Sequence, residues 1–209
     1  MNLSHNKLRQ VSPFGEYFES TDLIDWESPI IQSFIDVHPT EERTDFELIQ
    51  DTYQFVRDQI SHSYDIGSKR VTASASEVLE YGEGICYAKS HLLAALLRGY
   101  GIPSGVCYQR LTLGDTAESG HCLHSLNSVY YAPLDCWLRL DARGNTRGIC
   151  AEFSVKHEML AFTVRPEMDE KDYWDNFAVP HHKVAMCLAL HSDCTEMCAR
   201  GLPSFLESV

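Results

Sequence analysis

Cys86 closes the run Gly82-Glu83-Gly84-Ile85-Cys86 and opens an apolar stretch. The two glycines permit a tight backbone approach. A cysteine in the first turn of a helix meets unpaired N–H groups and the positive end of the macrodipole, both of which favour an anion. A thiolate is such an anion, and helix N-termini make cysteines nucleophilic near neutral pH. Burial as filler is the commoner fate of a cysteine; the glycine-flanked helix start counts against it here. A nucleophilic thiolate needs an imidazole, itself oriented by a third group, and the chain offers ten histidines. Segments 123–131 and 136–141 read as a hairpin. A loop centred on Ala132–Pro133 sets Tyr130 opposite Asp135, Val129 opposite Cys136 and His124 opposite Asp141. Facing side chains lie about 4.5–5.5 Å apart, close enough for a carboxylate to fix an imidazole's tautomer and support its cation. A slip of one residue would put the two on opposite faces. Away from Cys86, His124 with Leu123 and Leu126 would be an ordinary core histidine.

These residues need a scaffold. Ala88, Leu92, Ala95 and Leu96 form one stripe and Leu93 with Leu97 another, so the helix from Cys86 to Tyr100 is apolar nearly all round, as a central buried helix is. Gly101 and Pro103 end it. Upstream, Phe46, Ile49, Tyr53, Val56 and Ile60 recur every three or four residues, an amphipathic helix over Thr40–Ile60 starting at Thr40. A short helix spans Ser76–Tyr81 and stops at Gly82. Residues 104–111, 123–131 and 136–141 are rich in Val, Leu, Tyr and Trp at strand length. One buried helix followed by an antiparallel meander is an α+β pattern. Further expectations are a strand at Phe14–Phe18, a short helix capped by Ser20, Thr21 or Asp22, helices near Val155–Ala161 and Val184–His191, and an acidic loop, PEMDEKDYWD, between the last two. The loop 112–120 is the expected rim of a substrate entrance.

The ordered set Gly84-Ile85-Cys86, Gly101-Ile102-Pro103, His124 and Trp137-Leu138-Arg139-Leu140-Asp141 resembles the transglutaminase-like superfamily of papain-type Cys-His-Asp enzymes, above all its short bacterial members. The resemblance covers residues 45–145. It implies a papain-like core in which the helix carrying Cys86 packs on a sheet carrying His124 and Asp141, with residues 1–209 as one domain extended at both ends. It also implies Cys86 as nucleophile, His124 as general acid and base, and Asp141 as its orienter. The implied activity is acyl transfer, chiefly hydrolysis of a peptide or amide bond, with transamidation if an amine accepts the acyl group. A catalytically silent binding or scaffold domain is the alternative. The sequence departs from the family after the histidine, where Ser125, Leu126 and Asn127 replace an HxW-like pattern. The Cys86 N–H is a natural oxyanion donor. The second donor is left among Gln54, His62 and Tyr64, and Trp137 either floors the groove or packs on a neighbouring strand.

Composition bounds the rest. With 44% hydrophobic and 11% aromatic residues in 209, the chain can build a core. A net charge of −13 is the wrong sign for phosphate neutralisation or an anionic bilayer, so neither nucleic acid nor membrane is expected as partner. The start, MNLSHNKLRQVSPF, lacks a secretory pattern, and the longest apolar segment, LLAALL at 92–97, is too short to span a bilayer. Eight cysteines in 209 residues fall short of a disulfide scaffold, which points to a reduced cytoplasmic protein. Neither a C-x-x-C nor an H-x-x-x-H spacing accompanies His121, Cys122 and His124, so no metal or other cofactor is expected.

Overall fold

The computed structural model describes residues 7–38, 41–146 and 148–207. Strand β1 (Arg9–Gln10) leads into a 3-10 turn over Phe14–Phe18, then helices α1 (Pro29–Val37) and α2 (Asp45–Gln59). Two-residue strands β2 (Ser61–His62) and β3 (Glu83–Gly84) flank α3 (Ala75–Tyr81), and α4 (Cys86–Gly99) follows directly. Then come β4 (Ser104–Thr112), β5 (His121–Tyr131), β6 (Cys136–Leu140), β7 (Lys171–Phe177), α5 (His182–Leu190) and the single turn α6 (Cys194–Glu196), which runs on as a π-helical turn, Met197–Gly201. Among the described residues no helix is long and apolar enough to cross a membrane.

The helices begin where side chains satisfy their first N–H groups. Thr44 caps α2 and Ser74 caps α3, each accepting from the N–H three residues on, while Glu47 and Glu77 reach back to the capping backbone. Helix α2 therefore starts at Asp45; Thr40, the expected start, lies outside the described residues. Gly82 ends α3 in the left-handed region at φ +68°. Helix α4 is buried from Tyr87 to Arg98, polar residues included. Burial of Lys89, His91 and Arg98 is tolerated because each finds a backbone carbonyl: Ile60 O (2.5 Å), Ala73 O (2.7 Å) and Ser104 O (2.9 Å), respectively.

One five-stranded sheet, ordered β1-β7-β4-β5-β6, carries antiparallel pairs except at β1–β7, which are parallel. Asn127, Val129, Leu138 and Leu140 face α4. Asn127 donates to Ser90 O at 2.8 Å, and the other three join Leu92, Leu93, Leu96 and Leu97 in the main core. A second cluster, with Tyr87, Tyr108, Leu123, Val184 and Met197, closes the end where Cys86 emerges. Sheet spacing is tight at Gly105. A Cβ there would stand 2.8 Å from Phe177 O and overlap Asn176 Oδ1. Gly105→Ala should cost about 1–3 kcal/mol, read as a lower urea midpoint; an unchanged midpoint would mean that β7 can move away freely.

Several expectations are corrected. Phe14–Phe18 is a 3-10 turn, opened by a bond from Glu16 N–H to Pro13 O (3.0 Å), and not a strand. Ser20, Thr21 and Asp22 cap no helix: Thr21 Oγ1 accepts from Ile24 N–H (3.0 Å) in a local turn, and the helix begins at Pro29. Residues 155–161 are irregular, held by a bridge between Glu152 and Met159 and by the Arg139–Glu158 pair. The acidic stretch PEMDEKDYWD contains most of β7, set between β1 and β4. Its charges are matched by Arg139 on Asp172 and Arg9 on Asp175, and Tyr173 and Phe177 pack inward. The hairpin register is displaced by two residues, with Tyr131 opposite Cys136 and Tyr130 opposite Trp137. The loop is four residues long, with Asp135 left-handed at φ +48°. Because the displacement is even, every side chain keeps its face.

Candidate active site

The N-terminus of α4 is held by a parallel bridge. His62 is in register with Gly84, and Ser63 N–H donates to Gly84 O at 3.2 Å. Packing around Gly84 is close: a Cβ would lie 3.0 Å from Thr72 Oγ1 and 3.2 Å from the Ala88 Cβ, and those side chains would have to give way by a few tenths of an ångström. Cys86 is the first residue of α4, partly buried, and lines a cavity of about 660 Å³ together with His62 and His124.

His124, on β5, is 4% exposed, and Asp141, one residue beyond β6, is 1% exposed. The ladder stops at Asn127–Leu140, so the two are not directly paired. They nonetheless meet, with His124 Nε2 2.8 Å from Asp141 Oδ2. That bond uses Nε2 and leaves Nδ1 for the thiol. Asp141 accepts two more bonds, from Arg143 N–H (3.2 Å) and Ala161 N–H (3.1 Å), and its backbone carbonyl accepts from Tyr53 Oη–H (3.1 Å). Phe162 stands edge-on to the His124 ring, centroids 5.0 Å apart. Asp141 is thus held from α2 through its backbone carbonyl, and its carboxylate by Arg143 N–H and by the irregular segment around residue 161.

The electrostatics follow. Burial alone would raise the Cys86 thiol, but His124 and then His62 outweigh it and bring it down to about 6. Burial disfavours a charged His124, yet Asp141 and the thiolate push it up to about 10. Asp141 stays ionised despite burial because His124 and two backbone N–H groups hold its charge. Between these limits the pair is thiolate and imidazolium. Cys107, buried, and Cys122, partly buried, have no such partners and are pushed up to about 12, and Cys187 to about 11.

The structure brings Cys86, His124 and Asp141 together with two of the four further candidates. His62 and Tyr64 line the cavity, as do Thr112 to Asp115 of the loop expected at its rim. Gln54 and Trp137 do not. Gln54 follows Tyr53 on α2, about 100° further round the axis, away from the bond Tyr53 makes to Asp141. Trp137 shares the face of Asp141 but lies four residues earlier, about 13 Å along the strand. It packs with Tyr17, ring centroids 4.7 Å apart. Residues that sequence reasoning missed complete the site. Arg143 grips Asp65 with both guanidinium nitrogens at 2.8 Å, and Asp65 faces His62. Both had a signal in their spacing, two residues after Asp141 and three after His62. Ala161 and Phe162 had none, because one acts through its backbone and the other by covering a ring. Among the described residues no three His, Cys, Asp or Glu side chains are grouped to hold a metal ion.

No curated protein matches the chain. Among solved structures, one described as a "putative cysteine protease" from Cytophaga hutchinsonii is similar at 15% identity and a TM-score of 0.45, over 62% of this chain. The similar part is 42% of that protein's length. The family model for the transglutaminase-like superfamily matches residues 37–142, half of the chain, from the last residue of α1 to the residue after Asp141. The α+β core, with its buried helix packed on an antiparallel sheet, is the papain-like arrangement of that family, and the chain belongs to the transglutaminase-like superfamily.

Proposed function

We propose that this protein is a cysteine-dependent acyl-transfer enzyme that hydrolyses peptide or amide bonds, with Cys86 as nucleophile, His124 as general acid and base, and Asp141 as the orienter of His124. The observation that carries this is the buried His124–Asp141 bond at 2.8 Å, which leaves the other imidazole nitrogen to a cysteine at a helix N-terminus. Membership of the superfamily supports a cysteine-dependent enzyme in general.

The Cys86 thiolate adds to the substrate carbonyl, forming a C–S bond as the C=O pair moves to oxygen. Collapse of the tetrahedral intermediate breaks the C–N bond, and the departing amine takes the proton from His124. Neutral His124 then removes a proton from water, which attacks the thioester and releases the acid. An amine in place of water would give transamidation by the same residues.

The pH dependence of Cys86 alkylation, followed by peptide mapping, tests the nucleophile. Cys86 should be the fastest of the eight cysteines to react with iodoacetamide at pH 6–7, with a rate that rises through about 6. In His124→Ala that midpoint should move toward about 8.5, the value of a free thiol. A Cys86 that is inert, or indifferent to His124, would reject the proposal in favour of a silent binding domain. Peptide turnover in heavy-oxygen water, with the label recovered in the new carboxylate, reports hydrolysis; product joined to an added amine reports transamidation.

A further inference from the structure

Two imidazoles face Cys86, and the mechanism above uses only one. His62 arrives from β2, and its position is set by backbone bonds: it stands in register with Gly84, two residues before Cys86, and Ser63 N–H donates to Gly84 O. Its ring is 11% exposed and lines the cavity beside the thiol. Its Nδ1 is turned toward Asp65 Oδ1 at 3.5 Å and is buried without a hydrogen bond. Asp65 is in turn clamped by both nitrogens of the Arg143 fork, and the Arg143 backbone N–H donates to Asp141. A continuous chain of contacts, His62–Asp65–Arg143–Asp141–His124, therefore joins two imidazole–carboxylate pairs on either end of one arginine.

We infer that His62 is the side-chain donor of the oxyanion hole, acting with the Cys86 backbone N–H on the carbonyl oxygen of an acyl substrate, and that Asp65 and Arg143 are its positioning residues. This rests on Cys86 being the nucleophile proposed above. The oxyanion forms one bond away from the carbon that Sγ attacks, so its donors must come from groups adjoining Sγ. The Cys86 N–H is one, since the first residue of a helix has no intrahelical partner for it. His62 is the cavity-lining side chain that the β2–β3 bridge sets in register with Gly84, two residues before that N–H. Tyr64 is 54% exposed, and Gln54 lies outside the cavity. Asp65 and the neighbouring thiolate more than offset burial and raise the proton affinity of His62. A ring so held can donate from Nε2 without giving its proton away. During addition the C=O pair moves to oxygen and both N–H groups donate to it. On collapse the pair returns, and His124, not His62, supplies the proton to the leaving group.

The test uses p-nitrophenyl acetate, an activated ester whose p-nitrophenolate burst reports acylation of Cys86, against iodoacetamide, whose displacement at a saturated carbon forms no oxyanion. Both are measured on the alkaline plateau above the Cys86 transition, where thiolate content is equal. His62→Ala should slow the burst by about 10²–10³ while its limiting alkylation rate matches wild type. His62→Gln, which keeps an N–H donor, should recover to within about tenfold of wild type. Equal bursts in wild type and His62→Ala, a parallel fall of burst and alkylation, or a glutamine variant as slow as alanine would each overturn the assignment. Absence of both a burst and preferential alkylation of Cys86 in the wild type would overturn the nucleophile itself, and the role of His62 with it.

Discussion

Asp141→Asn should lower kcat for acyl transfer by about 10⁴, the scale seen when the orienting carboxylate of a triad becomes an amide. The side chains are nearly isosteric, so the effect is electronic. In the wild type Asp141 Oδ2 accepts from His124 Nε2 and from Ala161 N–H, and Oδ1 accepts from Arg143 N–H. An asparagine carries no charge and has one acceptor oxygen for these donors. With that oxygen in the Oδ1 place on Arg143 N–H, its NH2 takes the Oδ2 place and donates to His124 Nε2, which must be unprotonated. The remaining proton sits on Nδ1, directed at Cys86, and the ring can no longer act as base. The His124 cation, held up to about 10 by Asp141 and the thiolate, loses its main support, and the Cys86 transition near 6 should rise. The sign is testable in one profile: activity that in the wild type appears as pH rises through about 6, and is lost as His124 deprotonates near 10, should appear only at higher pH in the variant. A loss in kcat of less than tenfold, with the transition still near 6, would mean that Asp141 does not orient His124.

The largest effect on stability is expected at α4. Leu96→Ala should destabilise the fold by about 2–5 kcal/mol, the range for a fully buried leucine, against a total of about 5–15 kcal/mol for a domain. Leu96 has no exposed surface and belongs to the main core, on the helix that packs against α2, α3 and β5. Its neighbours Leu92, Leu93 and Leu97 are also fully buried, so nothing from solvent can fill the space left behind. The measurement is the urea midpoint at constant slope. Leu96→Met, close in volume, should cost less than about 1.5 kcal/mol. Alanine and methionine variants of equal stability would mean that α4 is loosely packed, and the geometry at Cys86 would then lack a rigid support.

How far the site was legible varies by residue. Cys86 announced itself through glycines and a following apolar run, because a helix start is a local event. The pairing of His124 with Asp141 was reached through a register wrong by two residues, and it survived because parity, not register, decides which face a strand residue takes. The strand at Lys171–Phe177 was hidden by its acidic residues. Their partners, Arg9 and Arg139, are distant in sequence, and only folding brings opposite charges together. His62 and Tyr64 could not be ranked above Gln54 from their types alone, since cavity lining depends on a parallel bridge of two residues.

By itself the sequence determined what repeats locally: the buried helix, the strand lengths, the order of cysteine, histidine and aspartate, and through these the family. Local spacing is enough for that, because helix and strand periods are properties of neighbouring residues. Only the tertiary structure decided which groups surround the thiol. The Ala161 N–H, the Phe162 ring, the Asp65–Arg143 clamp and the seat of His62 come from segments with no shared periodicity. Their distances to Cys86 are set by packing of the whole core, which no short stretch of sequence encodes.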